Sequence, residues 1–244
     1  MQSLENKVVL VIGGGSGIGL GIGEAFAREG SKVVLSGRSE DTLNAAKANS
    51  EVGDNLLVYP ADASDRAQTA SLIEFTESNA GPIDILVYSA GINVPERLFE
   101  NHDPATFDQV MDINANGAFH AMQAVFPGMR ERKSGLVLNI VSVAALTTMK
   151  LAGASYSASK YAQAVLGKFA NQEVLEEGIS VTNIYPGETD TPLVDKRPTP
   201  PPLEQRAKMI LPEDVAAMAI AVAKLPYRAT VPEIVITPRH MPIP

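Results

Sequence analysis

Tyr156 and Lys160 stand four residues apart in Tyr156-Ser157-Ala158-Ser159-Lys160, a stretch free of Gly and Pro. Residues at i and i+4 lie one above the other on a helix face, so a helix here points phenol and ammonium the same way. A free tyrosine has a pKa of about 10. A cation held beside it favours the phenolate and lowers that value. Such a pair could give or take a proton near neutrality. The competing reading is a chance pair on a surface helix. Roughly one chain in four with this many tyrosines carries the spacing by luck, so the pair matters only if the chain builds a site around it.

A second chemistry lies near the start. The apolar run Val8–Ile12 leads into Gly13-Gly14-Gly15-Ser16-Gly17-Ile18-Gly19. A strand, a glycine-rich turn and a helix form a phosphate cradle. Glycine lets backbone approach a pyrophosphate, and the helix N-terminus offers N–H groups and positive potential. The spacing Gly-x-x-x-Gly-x-Gly can start at Gly13, Gly15 or Gly17, and the strand end at Ile12 selects the first. The strict Gly-x-Gly-x-x-Gly fingerprint is absent, and a turn with tight helix–strand packing is the alternative. The next strand candidate ends in Ser36-Gly37-Arg38-Ser39. An acid at this place suits a ribose 2′-OH, whereas an arginine suits a 2′-phosphate. Arg38 offers a planar fork and Ser39 a hydroxyl, so NADP(H) is expected over NAD(H). Asp62, followed by Ala63, closes the third strand candidate, either against an adenine amino group or as a turn former. Ser89-Ala90-Gly91 closes the fourth, with small residues that leave room for a ribose.

These residues need a scaffold. Strands are expected at Val8–Ile12, Lys32–Leu35, Asn55–Tyr59, Ile83–Tyr88, Gly135–Val141, Ser180–Ile184 and Glu233–Ile236. Helices are expected near 17–29, 39–49, 65–79, 105–131, 155–177 and 212–225. Apolar strands without alternation, separated by helices, are the βαβ rhythm of a doubly wound α/β sheet. The 244 residues are 45% hydrophobic, enough to bury the core of a single domain spanning 1–244. Net charge is −8, which disfavours a nucleic-acid surface. No cysteine is present, which excludes thiol catalysis and disulfides. No leader pattern or membrane-spanning run is evident, so a cytoplasmic location is expected. Pro198–Pro202 is too proline-rich for helix or sheet, and Pro238–Pro244 reads as an extended tail.

Taken together, the residues resemble the short-chain dehydrogenase/reductase family. The matching pieces are Gly13-x-x-x-Gly17-Ile18-Gly19, Asp62, Ser89-Ala90-Gly91, Asn114, Ser142, Tyr156-x-x-x-Lys160 and Pro186-Gly187-Glu188-Thr189-Asp190-Thr191. They occur in the family's order from about residue 5 to 237. The resemblance, most like an NADP-preferring 3-oxoacyl-carrier-protein reductase, implies a Rossmann-like domain with a seven-stranded parallel sheet. It also implies hydride transfer between NAD(P)H and a carbonyl or alcohol. Tyr156 is then the general acid in reduction. Lys160 lowers its pKa and holds the nicotinamide ribose. Ser142 hydrogen-bonds the carbonyl oxygen. Asn114 stabilises a helix irregularity and a water leading protons to Lys160. Thr191 binds the carboxamide, Pro186-Gly187 shapes the turn under the ring, and Thr189 belongs to the same turn.

The sequence departs from the family at Ile12, where Thr is common, at Ser89, where Asn is common, and at a chain end without Asp-Gly-Gly. Residues 192–211 correspond to the segment that covers substrate. Its walls are expected from Asn93–Phe99, Val143–Leu151 and Glu188. The long helices 105–131 and 155–177 imply a homodimer or homotetramer. The substrate stays open between 3-oxoacyl thioesters, steroids or polyols, and small ketones. The alternative function is an NADP-binding regulator without turnover. A hydrolase lacks its Gly-x-Ser-x-Gly elbow, and no histidine spacing suggests a metal.

Overall fold

The computed structural model describes residues 1–241. Seven strands form one sheet: β1 (Val8–Ile12), β2 (Lys32–Gly37), β3 (Leu56–Pro60), β4 (Ile85–Tyr88), β5 (Gly135–Ile140), β6 (Ile179–Pro186) and β7 (Glu233–Ile236). Their order is β3-β2-β1-β4-β5-β6-β7, and every pairing is parallel. The fold is the doubly wound, Rossmann-like α/β sheet that the sequence leads one to expect.

Both faces are covered, which explains the unbroken apolar strands. Val8, Leu10 and Ile12 of β1 face one core, and Val9 and Val11 face the other. The first core is closed by Leu72 of α3 (Arg66–Asn79), by Met122, Val125 and Met129 of α5 (Gly117–Arg132), and by Ala170 and Val174 of α6 (Ala154–Val174). The second is closed by Ile22 and Phe26 of α1 (Gly17–Arg28), by Leu43 of α2 (Glu40–Asn49), and by Val215 and Ala219 of α8 (Pro212–Ala223). No helix among the described residues is long and apolar enough to cross a membrane.

Three expectations need correction. The helix drawn over 105–131 is α4 (Pro104–Met111), a π turn at Asp112–Asn116, and α5. The buried Tyr88 hydroxyl donates to the Ile113 carbonyl at 2.5 Å, inside that turn. A π turn adds a residue to the helical repeat, which hydropathy spacing does not register. The helix drawn over 155–177 ends at Val174, its last turn tightening into a 3₁₀ turn, Leu175–Glu177. The tail is not simply extended: Met241 N donates to the Pro238 carbonyl at 3.0 Å, turning the chain back toward Glu188. Residues 242–244 of that tail lie outside the described residues. The 198–202 segment forms no helix or strand, as its prolines require, and a one-turn helix, α7 (Leu203–Arg206), follows it.

α6 lies unusually close to the sheet. A Cβ on Gly167 would stand 2.1 Å from Asn183 Oδ1 and 2.8 Å from Asn139 Nδ2. Asn139 and Asn183 donate to the Gln163 and Ala164 carbonyls at 3.2 and 2.8 Å. Gly167→Ala should therefore push α6 off β5 and β6. The expected cost is about 1–3 kcal/mol, read as a loss of about 2–4 °C in melting temperature for each kcal/mol.

Candidate active site

β1 pairs with both β2 and β4, so the chain departs to opposite sides beyond β1 and β4. Ligands bind at such a switch point, outside the carboxyl ends of the strands. A groove of about 680 Å³ opens there. Gly13 has φ +85°, and a Cβ on it would meet Ala90 N at 2.4 Å. The two loops therefore touch. Ser89 N also donates to the Ile12 carbonyl at 2.8 Å, a backbone bridge that does not depend on a threonine at position 12. Gly19 abuts the Gly13 carbonyl, where a Cβ would sit 2.1 Å away. It packs α1 against the turn and does not line the groove. Ser16 precedes α1 without a side-chain cap bond, so the helix N-terminus has no side-chain acceptor of its own. Gly13, Gly15, Ser16, Gly17 and Ile18 form the floor. A glycine cradle closed to a Cβ at Gly13 and Gly19, with an uncapped helix behind it, fits a dinucleotide pyrophosphate.

Further along the groove come Arg38, Ser39, Asp62, Ala63 and Ser89-Ala90-Gly91. Ser39 Oγ caps α2 by accepting from Thr42 N at 3.2 Å and Thr42 Oγ1 at 2.9 Å. Its own O–H stays available to donate. Asp62 Oδ1 accepts from Ser64 N at 2.9 Å and Ser64 Oγ at 2.7 Å. The turn reading of Asp62 is thus realised, and it engages one carboxylate oxygen. The cap of α3 is Asp65.

Tyr156 and Lys160 sit in the first turns of α6, with Lys160 Nζ 5.8 Å from the Tyr156 ring centre. Lys160 is 3% exposed. Its Nζ donates to the Ile140 carbonyl at 3.1 Å and to Gln163 Oε1 at 2.7 Å. Both acceptors are neutral, and burial pulls the ammonium pKa down to about 7. Burial also pushes the Tyr156 phenol up, while the Ser142 hydroxyl and the Arg97 guanidinium act to lower it. Arg97 thus acts on the phenol as a cation, a contribution that the sequence reading did not assign. A desolvated lysine held by neutral oxygens carries its charge less readily. Asn114, in the π turn, is fully buried. It accepts from Ile92 N at 2.8 Å and donates to the Ile92 carbonyl and to Ser159 Oγ, both at 3.0 Å. It ties the loop after β4 to α6 beside Lys160.

A smaller cleft of about 160 Å³ adjoins the groove. Tyr156 and Thr191 line both. Ser142 lines the cleft and accepts from Ala144 N at 3.1 Å. Pro186, Gly187 and Thr189, expected among cofactor residues, lie on the cleft and not on the groove. β6 runs on to Pro186, and the chain then turns across the cleft. Thr189 Oγ1 donates to the Gly187 carbonyl at 3.1 Å, which absorbs its hydroxyl in the turn. Of the expected walls, Asn93, Arg97, Met149, Leu151 and Glu188 are present, whereas Leu146 and Lys150 do not line the cleft. Phe99 is 94% exposed and stands away from it. Arginines tie the covering segment down. Arg206 pairs with Asp190 and Asp195 at 2.5 and 2.6 Å, and Arg197 with Glu188 at 3.0 Å.

Comparison with known proteins decides the family. The model for short chain dehydrogenases matches residues 7–201. The chain belongs to the short-chain dehydrogenase family of oxidoreductases. An uncharacterized oxidoreductase of Staphylococcus saprophyticus is 33% identical over 242 residues, covering 98% of this chain and all of the relative. A serine dehydrogenase solved in its closed form with NADP+ superposes with a TM-score of 0.87 at 26% identity, covering 97% of this chain and 96% of that one. A 3-ketoacyl-(acyl-carrier-protein) reductase from Brucella melitensis, solved with NADH, superposes with a TM-score of 0.85 at 29% identity, covering 96% and 98%.

Two site residues escaped the sequence reading. Gln163 looked like an ordinary polar helix position, although its i+3 spacing from Lys160 offered a signal. Arg97 lay in a segment named only as a wall. The family's Tyr-Lys pair thus rests on side chains that its motif does not mention. Between about pH 7 and 10, the unfolded chain binds a proton at Lys160 that the folded chain has released. Stability contributed by this site should therefore rise with pH across that window. Denaturant unfolding at pH 7 and 9.5 should show the rise in the wild type and a smaller one in Lys160→Met.

Proposed function

We propose that the protein transfers hydride between NADP(H) and a carbonyl or secondary alcohol. The observation that carries this reading is the position of Tyr156, which lines the dinucleotide groove and the adjoining cleft at once. Its hydroxyl thus stands where a bound cofactor and a bound substrate meet. NADPH, when bound, supplies the hydride. Tyr156 gives its proton to the carbonyl oxygen as that oxygen gains charge, and Ser142 donates a second hydrogen bond to the same atom. Lys160 holds the ribose hydroxyls of the cofactor and supports the phenolate left on Tyr156. Gln163 keeps Lys160 in place, and Asn114 holds the π turn and a water leading protons to Lys160. Gly13, Gly15, Ser16, Gly17 and Ile18 receive the pyrophosphate, with Gly19 packing the helix behind them. Arg38 and Ser39 receive the 2′-phosphate, Asp62 and Ala63 the adenine, and Ser89, Ala90 and Gly91 the ribose side of the groove. Thr191 faces the carboxamide. Pro186, Gly187 and Thr189 form the turn between ring and substrate, and residues 192–211 form the cover.

Support for NADP(H) comes from Arg38, which lines the groove without a carboxylate partner among the described residues. The similar structures carry either NADP+ or NADH, so the arginine is the sharper argument. Their names give serine and a 3-ketoacyl carrier protein as substrates, and no common substrate follows from them. We also propose a homodimer. Tyr161, Val165 and Phe169 form an exposed i, i+4, i+8 stripe on α6, with Phe119 exposed on α5. An exposed apolar stripe of this kind marks an association surface.

Tyr156→Phe should lower kcat by about 10²–10⁴-fold while NADPH fluorescence on binding is retained. Unchanged turnover would contradict the proposal. Arg38→Ala should weaken NADPH binding by about 10-fold or more and leave NADH binding unchanged; equal losses for both cofactors would remove Arg38 from the 2′-phosphate site. Phe169→Glu should shift the sedimentation coefficient from dimer to monomer. A monomeric wild type would reject the α6 surface.

A further inference from the structure

We propose that the cleft beside Tyr156 takes a short oxo or hydroxy acid whose carboxylate is held by Arg97. This rests on the oxidoreductase reading above and names its substrate class. Arg97 is 5% exposed. Its Nε donates to the Val94 carbonyl at 2.6 Å, Nη1 to the Leu151 carbonyl at 2.8 Å, and Nη2 to the Lys196 carbonyl at 2.9 Å. All three acceptors are neutral. No carboxylate among the described residues pairs with it. A guanidinium keeps its charge at any working pH, and a buried charge is normally matched by an opposite one. Among the described residues the matching charge is missing, and Arg97 lines the cleft in which a substrate would lie.

The donor count fits a carboxylate. Guanidinium has five N–H groups. The carbonyls take one from each nitrogen, which leaves one N–H on Nη1 and one on Nη2. Two remaining donors match the two oxygens of a carboxylate in number. The acid that lines the cleft, Glu188, does not compete. Its Oε1 pairs with Arg197 at 3.0 Å, and its Oε2 lies 3.1 Å from His240 Nε2. Charge in the cleft is therefore positive on balance, and Arg197 adds to the burden on Arg97 by lowering its pKa along with desolvation.

Size sets the length of the substrate. The cleft holds about 160 Å³, below the range of about 300–1,000 Å³ usual for drug-sized ligands. Arg97 and Tyr156 both line this small cleft. The reacting carbon and the carboxylate are thus only a few bonds apart, with Met149, Leu151 and Met241 against the carbon body. In the reduction, the carbonyl carbon gains hydride from NADPH and the carbonyl oxygen gains the Tyr156 proton. NADP+ and the hydroxy acid leave, solvent returns the proton, and the carboxylate is unchanged.

The test compares 2-oxobutanoate and 3-oxobutanoate with their methyl esters and with the phosphate ester of hydroxyacetone, following NADPH oxidation by the full chain. At least one acid should exceed its ester, and the phosphate, by about 10-fold or more in kcat/KM. In Arg97→Gln the acid-to-ester ratio should fall to about 1, with NADPH fluorescence confirming an intact groove. Arg97 also ties three segments together, so the wild-type ratio stands as a test if that variant fails to fold. Esters that match the acids, or a preferred phosphate, would overturn the carboxylate subsite and leave the reductase reading intact. If no compound is reduced, the reductase reading fails, and binding decides the subsite. Butanoate should then raise the melting temperature of the NADPH-saturated wild type where butanamide does not, and equal effects would overturn it.

Discussion

The close seating of α6 on β5 and β6 is the contact on which the rest of the structure depends. Gly167 leaves no room for a side chain, and the Asn139 and Asn183 amides reach across to the helix carbonyls. Gln163 then links Asn139 Oδ1, at 2.7 Å, to Lys160 Nζ. Buried amides at this contact are all paired, which makes the arrangement rigid and also costly to disturb. The first turns of α6 consequently project Tyr156 and Lys160 over the carboxyl ends of the strands. One helix thereby sets the boundary between the dinucleotide groove and the smaller cleft.

Electrostatics around that boundary follow from the same packing. Lys160 is held by neutral oxygens, and burial brings its pKa to about 7. Arg97, which lines the cleft with Tyr156, is likewise held by neutral oxygens. Tyr156 thus stands near two cations that have no carboxylate partner among the described residues. An anionic cofactor in the groove and an anionic substrate in the cleft are the complements such a site favours. Each would strengthen the cation nearest to it, and each cation favours the phenolate. In the proposed reaction, proton transfer by Tyr156 would in this way be coupled to the filling of both clefts.

Much of this was legible in the sequence because it depends on local spacing. The glycine turn, Arg38, and the Tyr156–Lys160 pair are short-range patterns that demand a particular backbone or helix face. The seven strands were readable because both faces of the sheet are covered, which leaves apolar runs such as Val8–Ile12. The π turn at Asp112–Asn116 was not, because an extra residue in a helix leaves its hydropathy almost unchanged. Gln163 was missed although its spacing from Lys160 was readable, and Arg97 was missed for a different reason. The importance of Arg97 comes from what is absent around it among the described residues, a paired carboxylate, and absence in space has no sequence signature. The fold of the tail was hidden too, since its prolines allow a turn as readily as an extended chain.

Direct transfer between the two clefts is the central claim, and isotope transfer tests it most directly. The full chain would be given NADPH carrying deuterium at C4 of the nicotinamide, together with a carbonyl compound that it reduces. The alcohol formed should hold one deuterium on its carbinol carbon, drawn from a single face of the ring. NADPH that binds without being consumed, or deuterium that appears in solvent and not on the carbinol carbon, would contradict the account.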